Sequence, residues 1–462
     1  MPRSPLARLV AILLVLTITG CAPVGPNYTR PPVATPPTFR FAESQQAASF
    51  ADLPWWQVFE DPVLQALIRE AIANNLDLRA AAARVERFRA EARIAKSFLY
   101  PQVDGTATSN VQQNSGTDDG DLQGNAVYGF QLSWEIDLFG RIRREREAAV
   151  ARLLASEQGR RGVLVTLVAD VASTYFLLRQ LDAQLDIARR TLTNADESVT
   201  FFQNRVNGGV SNQLELDRIT AFRATAAAAI PDIERQIAQA EDSISLLIGQ
   251  PPAPVQRELI PTLPPPPPLI PPGVPASLLE RRPDVVEAEE LLVAANANVG
   301  AAKALFFPAI SLTSFAGGIS GDLATLLGGS GAVWAAAPTL LQPIFTAGRL
   351  RGNLDAARAS YDEAVAEYQK AALSAYREVA DALVTIQKLA QVSTQQEMGV
   401  AALQEASDLA RTRYNTGLAN YLEILTADQD LFEQQLLLAE TDGAELRARA
   451  ELYRALGGGW QP

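Results

Sequence analysis

Apolar residues in this chain recur with two different spacings, and stretches of each alternate. From Leu164 they step by three and four through Leu167, Val171, Thr174, Leu178, Leu181, Leu185, Ala188, Leu192, Ala195, Val199 and Phe202. A stripe sustained that long specifies coiled-coil packing. It predicts a helix from Arg141 to Asn204, roughly 95 Å long at about 1.5 Å per residue. Return stripes follow, with Ile230, Ile233, Ile237, Ala240, Ile244 and Leu247 in the first and Leu422, Leu425, Phe432, Leu436 and Ala439 in the second. Glycine turns near Gly209 and Gly417 reverse the chain, and Pro231 should kink or loosen the first return helix. A further helical pattern runs from Pro62 to Phe98 and stops before Pro101.

Between these helices the spacing falls to two. Tyr128, Phe130, Leu132, Trp134 and Ile136 alternate with Gly129, Gln131, Ser133 and Glu135. That is a strand with one aromatic-rich apolar face and one polar face. Val103 to Val111 reads as its hairpin partner across the polar stretch Asn114 to Gly124. A second hairpin is predicted from Ile310 to Gly317 and from Val333 to Leu341, although Pro338 interrupts its second strand.

The order helix, hairpin, long helix, return helix occurs twice. Arg205, Asn207, Gly209, Asn212, Leu214 and Glu215 return 208 residues later as Arg413, Asn415, Gly417, Asn420, Leu422 and Glu423. Gly140-Arg141 returns as Gly348-Arg349, and Ala95-Lys96 with Pro101 as Ala302-Lys303 with Pro308. A duplication of this length predicts two equivalent repeats, 61–250 and 276–462. The segment 251–275 between them holds twelve prolines and reads as a stiff polyproline spacer.

Residues 1–20 read as a secretory signal: Arg3 and Arg8, then an apolar run too short to span a bilayer comfortably. It ends at Ile18-Thr19-Gly20-Cys21, which resembles a bacterial lipobox, the alternative being an ordinary cleaved signal. Lipidation would place a diacylglycerol and an N-acyl chain on Cys21, the one cysteine of the chain. Ala22 after it favours outer-membrane sorting, by resemblance to lipoproteins. Residues 21–60 then form an extended, proline-rich arm. Removing the leader takes away two arginines and no acid, which moves the net charge from −12 to −14. So acidic a chain argues against nucleic acid as a partner. Histidine is absent, so a Ser-His-Asp triad is excluded, and neither a P-loop nor a zinc-ligand set is found. Beyond the leader no apolar stretch reads as a transmembrane helix, so any membrane-spanning part is expected to be β.

Four strands cannot enclose a lumen, so a spanning sheet would have to pool strands from several chains. Two chains would give a narrow, filled barrel, and three would leave room for an aqueous bore. A water-soluble hairpin on a helical rod is the alternative left open by periodicity alone.

Cys21 with Val24-Gly25-Pro26-Asn27-Tyr28, Trp55-Trp56 with Phe59 and Asp61-Pro62, and Asn75-Leu76-Asp77-Leu78 with Ala83-Arg84-Val85 occur in a telling order. Leu279-Glu280-Arg281-Arg282-Pro283-Asp284-Val285, Ala288-Glu289 and Phe306-Phe307-Pro308 continue it. From Cys21 almost to its end, the chain resembles the outer-membrane lipoprotein channels of tripartite efflux systems, the TolC-like or NodT family. The resemblance implies a mainly α homotrimer with a twelve-stranded β-barrel in the Gram-negative outer membrane and an α-helical barrel below it. It implies a periplasmic adaptor and an inner-membrane pump, often of the resistance-nodulation-division class, as partners. The channel itself would be a passive duct without enzyme activity, metal or cofactor apart from the lipid on Cys21. A scaffold or adaptor lipoprotein without a pore is the second reading.

The family's aperture lies at the tips of the helical hairpins. By resemblance it falls here on Glu215 and Asp217, and on Leu422, Glu423, Thr426, Asp428 and Asp430. Inward acids would form rings that attract cations. Thr426 stands where relatives often carry aspartate. Arg413 and Tyr414 are candidates for a latch between helices. Tyr128, Phe130, Leu132, Trp134 and Ile136 should face lipid.

Overall fold

The computed structural model describes residues 23–42, 59–113, 122–257, 263, 273–320 and 332–458. The leader, Cys21, Trp55-Trp56, the tips of both β-hairpins and most of the proline-rich spacer lie outside these residues. The fold is mainly helical. In chain order come α1 (Pro62–Asn74), α2 (Leu76–Ser97), β1 (Gln102–Gln113), β2 (Leu122–Ile136), α3 (Arg141–Asn207) and α4 (Gln213–Leu247). Then follow α5 (Leu278–Arg281), α6 (Pro283–Ala304), β3 (Ala309–Ser320), β4 (Ala332–Leu341), α7 (Arg349–Asn415) and α8 (Tyr421–Ala455). Both long helices have 67 residues and both return helices have 35.

The chain divides into two compact units. The first comprises Met1–Pro32, Ala83–Glu157 and Glu287–Lys370. Its sheet has the order β1-β2-β3-β4, antiparallel throughout. The expected strands are all present, and Pro338 lies in β4 opposite Leu312. A strand at the sheet's edge tolerates a residue that lacks an N–H. Register places Tyr128, Phe130, Leu132, Trp134 and Ile136 on one face with Val103, Ile310, Leu312, Trp334 and Leu340. Gln102, Asp104, Thr106, Gln131, Ser133, Ser311 and Thr313 share the other. Where β2 hands over to α3, Arg141 forks onto Glu135 at 3.1 and 2.7 Å and also reaches Glu145 at 2.7 Å. The helix base is thereby tied to the end of the strand.

The N-terminal arm is docked on the same unit. Val24 N–H donates to Phe139 O at 2.9 Å, and Asn296 Nδ2 donates to Pro26 O at 3.1 Å. Arg144 reaches Asn27 Oδ1 at 2.9 Å, and Arg30 forks onto Glu289 at 2.6 and 2.7 Å. Tyr28 donates to the same carboxylate at 2.9 Å. Burial, together with Glu289, holds the Tyr28 phenol above its ordinary range. Two glycines make the approach possible. A Cβ on Gly25 would stand 2.4 Å from Gly300 Cα, and one on Gly140 would stand 2.6 Å from Pro23 Cα.

The second unit comprises Val33–Ala82, Gln158–Val286 and Ala371–Pro462. Its aromatic centre packs Phe59 against Phe176 and Tyr453 at ring distances of 6.0 and 5.9 Å. Asp61 caps α1 by accepting from Val63 N at 2.8 Å and Leu64 N at 3.1 Å. Pro62 suits the first helical position, where no donor is required. Arg257, within the first part of the spacer, clamps Asp182 at 2.7 and 2.8 Å and Glu241 at 2.6 Å.

Three expectations need correction. The helix predicted over Pro62 to Phe98 is two helices, broken at Asn75 (φ −57°, ψ 131°). The buried Asn75 side chain accepts from Leu78 N at 2.9 Å and donates to Leu247 O at 3.0 Å. It ends one helix, caps the next and ties both to the return helix. Second, α3 does contain an 18-residue window apolar enough to span a bilayer, with mean hydropathy 1.5. Half of that window is buried within the protein, as expected of core packing. Third, the α8 stripe leaves Leu422 45% exposed while Leu425 and Phe432 are buried. Pro231 lies inside α4, whose helical assignment is unbroken across it.

Replacing Asn75 by Ala removes a cap and leaves Leu247 O without its donor. A loss of about 1–3 kcal/mol is expected, read as a lowered denaturation midpoint of the purified protein.

Candidate functional site

The two hairpin turns both lie in the second unit, and both are built by the same device. α3 ends with Val210 N–H donating to Arg205 O at 2.9 Å, and α7 ends with Leu418 N–H donating to Arg413 O at 2.8 Å. Each closure needs one left-handed residue, supplied by Gly209 (φ 71°) and Gly417 (φ 76°). Asn212 then caps α4 by accepting from Glu215 N at 3.0 Å, whereas Asn420 makes no such side-chain bond.

The repeat equivalence stops at the side chains. On the second turn Arg413 faces Glu423 across the hairpin at 3.7 Å, both about half exposed. On the first, Glu215 is taken up by the Ser211 hydroxyl, and Gln213 donates to Asp217 at 2.8 Å. Arg205, the counterpart of Arg413, turns instead to aromatic faces. Its guanidinium lies 5.5 Å from the Phe201 ring and 5.8 Å from the Tyr414 ring. Phe202 packs on Tyr421 at 4.0 Å, and Tyr414 meets Tyr421 edge-on at 5.9 Å. Burial pushes the Tyr421 phenol up to about 12. The first hairpin is thus joined to the second by an Arg205–Phe202–Tyr414–Tyr421 cluster.

The α8 acids fall on two different faces. Glu423, Thr426 and Asp430 are exposed and follow the three-and-four spacing of a single stripe. Asp428 does not belong with them. It lies on the core stripe of Tyr421, Leu425 and Phe432, with its side chain 15% exposed. There it pairs with Arg411 at 2.8 Å and accepts from the Ser407 hydroxyl. This carboxylate clasps α8 to α7, apart from the exposed stripe. Asp217 is exposed and Glu215 half-buried, while Leu216 and Ile219 fill the core of the first hairpin. Tyr414 is held by ring packing, so the proposed Arg413–Tyr414 latch divides into an Arg413–Glu423 ion pair and an aromatic contact to the other hairpin.

Sequence reasoning missed Arg205, Phe202, Tyr421, Arg411 and Ser407. A signal was present at two of the contacts, because the repeat substitutes Tyr414 for Val206 and Tyr421 for Gln213. Next to the tips, a polar cavity of about 260 Å³ opens between α3, α4, α7 and α8, lined among others by Arg190, Asn194, Ser198, Gln404, Asp408 and Asp428. Among the described residues no group of acids forms a metal-binding cluster.

On the sheet, Phe130 is 67% and Trp334 82% exposed on the apolar face. Trp134 is partly covered, and its indole N–H donates to Leu99 O at 3.2 Å. Leu132 and Ile136 are half-buried. Tyr128 lies over Gly318, where an added Cβ would come within 2.5 Å of its ring.

Comparison with known proteins agrees with this arrangement. The sequence model of the outer membrane efflux protein family matches residues 67–250 and 274–458. The cation efflux system protein CusC of Escherichia coli is 35% identical over 98% of this chain and 99% of its own length. The toluene efflux pump outer membrane protein TtgI of Pseudomonas putida is 39% identical over 87% of each. The open-state crystal structure of the Neisseria gonorrhoeae MtrE outer membrane channel superposes with a TM-score of 0.86 at 30% identity, covering 95% of this chain and 99% of that one. The chain therefore belongs to the outer membrane efflux protein family and is an outer-membrane efflux channel.

Proposed function

We propose that three copies of this chain form a passive duct that receives cargo from a periplasmic adaptor and an inner-membrane pump and releases it outside the cell. The observation that carries this reading is the four-stranded sheet, with one apolar and one polar face and with β1 and β4 unpaired at its edges. In hydrocarbon each unpaired edge group would cost several kcal/mol, so the edges must find partners. Joining β4 of one copy to β1 of the next closes twelve strands around an aqueous bore, with the polar face inward. The long helices would continue that wall into the periplasm.

The hairpin tips are the proposed aperture. Glu423, Thr426 and Asp430 face the passage, with Glu215 and Asp217 on the neighbouring tip. The Arg205–Tyr414 contact and the Arg413–Glu423 pair hold the closed arrangement. Opening exchanges them for water, at about 0.5–1 kcal/mol for an exposed cation–π contact and less than about 1 kcal/mol for an exposed ion pair. Cargo choice falls to the pump, since relatives named for cations and for toluene share this architecture.

Cys21 is the proposed lipid attachment point. Pro23 rests against Gly140, so two residues, spanning at most about 7 Å, separate the lipidated residue from the strand–helix junction.

Single-channel recording in planar bilayers tests the duct, and a monomeric sample without conductance would refute it. Glu423→Ala is expected to reduce cation selectivity with little effect on stability, and Arg205→Ala to raise the open fraction. Unchanged gating and selectivity in both would return these residues to a packing role. Cys21→Ala should abolish labelling by radioactive palmitate while the protein is still exported; persistent labelling would remove Cys21 from this role.

A further inference from the structure

Among the apolar residues that share the polar face of the sheet, such as Val127, Ile319 and Leu341, one is aromatic. Beside Gln102, Asp104, Thr106, Gln131, Ser133, Glu135, Ser311 and Thr313, register places Phe315, the one aromatic among the described residues of that face. An upright phenyl there would stand among groups chosen to meet water. The ring does not stand upright. It leans along the sheet from its own position opposite Gln131 to the next pair, Gly129 opposite Gly317.

The evidence is steric. A Cβ built on Gly129 would stand 2.9 Å from Phe315 Cζ, and one built on Gly317 would also stand 2.9 Å from it. Both distances are shorter than carbon–carbon contact, so the ring, together with the facing backbone of the paired strand, fills the space that side chains at these positions would need. The backbones also draw close here, with Gly129 Cα 2.6 Å from that same Gly317 Cβ position. Phe315 is accordingly half-covered. Glycine weakens a strand, and an aromatic laid over a glycine pair restores part of the lost contact. The opposite face repeats the device with Tyr128 over Gly318, so the sheet pairs aromatics with glycines on both sides of one short stretch.

We propose that Phe315 sets the free width of the bore at this level, and that the Gly129–Gly317 pair keeps its ring flat against the wall. This rests on the reading of the sheet as one third of a closed barrel with the polar face inward. A flat ring adds about 3.5 Å of thickness to the wall, and an upright one reaches roughly twice as far. Twelve strands about 4.8 Å apart and tilted by about 40° enclose a wall roughly 24 Å across between backbones. Three rings raised together would remove roughly a third of the open area left by ordinary side chains. A flat phenyl face also gives apolar cargo a place to slide without narrowing the passage.

The test compares single-channel conductance of the assembled protein with that of Phe315→Ala and Thr313→Phe. Phe315→Ala should stay within about a tenth of the parent, because the ring is already out of the way. Thr313 shares the polar face but pairs with Ser133 and Ala337, so no glycine lies opposite to receive a ring. Thr313→Phe should therefore lower conductance, by roughly a tenth or more for three upright rings.

A rise of a third or more in Phe315→Ala would mean that the ring protrudes, which overturns the proposal. The two variants decide together: Phe315→Ala must be silent and Thr313→Phe narrowed. An unaffected Thr313→Phe channel would show that this face does not line the bore. The barrel reading would then fall, and this proposal with it.

Discussion

A β-sheet in hydrocarbon has to satisfy every backbone N–H and C=O, and this chain brings a sheet that cannot do so alone. Strands β2 and β3 are paired on both sides, while β1 and β4 each keep one open edge. Much of the remaining architecture follows from that deficit. In the proposed barrel the strands need a lipid-facing side, which the exposed Phe130 and Trp334 suit. They also need a firm handover to the long helices. Arg141, forked onto Glu135, provides such a join at the base of β2.

The helical part answers a different demand. A coiled coil of this length is held by its apolar stripe, so polar groups within the stripe have to be paired. Asp428 shows how this is done. Lying between Leu425 and Phe432, it is neutralised by Arg411 and the Ser407 hydroxyl. The exposed Glu423 and Asp430 lie on the adjacent stripe. Two roles for carboxylates on one helix are separated by about a hundred degrees of rotation per residue.

Much of this fold was legible in the sequence because its periods are long and clean. The strands, the reversals at Gly209 and Gly417 and the start of α3 at Arg141 all follow from spacing and glycine. What was not legible depended on neighbours brought in from far along the chain. Asn75 looks like an ordinary helical residue until Leu247 O arrives to accept from it. Asp428 reads as another acid of the tip unless its place in the core stripe is counted. Arg205 and Arg413 are equivalent by repeat and part company because Tyr414 occupies the position of Val206 in the second copy. Phe315 could not be singled out at all, since only register shows that it shares a face with Gly129 and Gly317.

The docked arm has one more mechanical implication. With an acyl anchor on Cys21, as proposed, the tether between lipid and protein is almost without slack, because Pro23 is already seated at Gly140. Such an anchor acts as a depth gauge: it pins the strand–helix junction to the inner headgroup plane. Any mismatch between bilayer thickness and the apolar band would then be taken up at the outer rim of the strands, leaving the height of the helical tube above the pump unchanged.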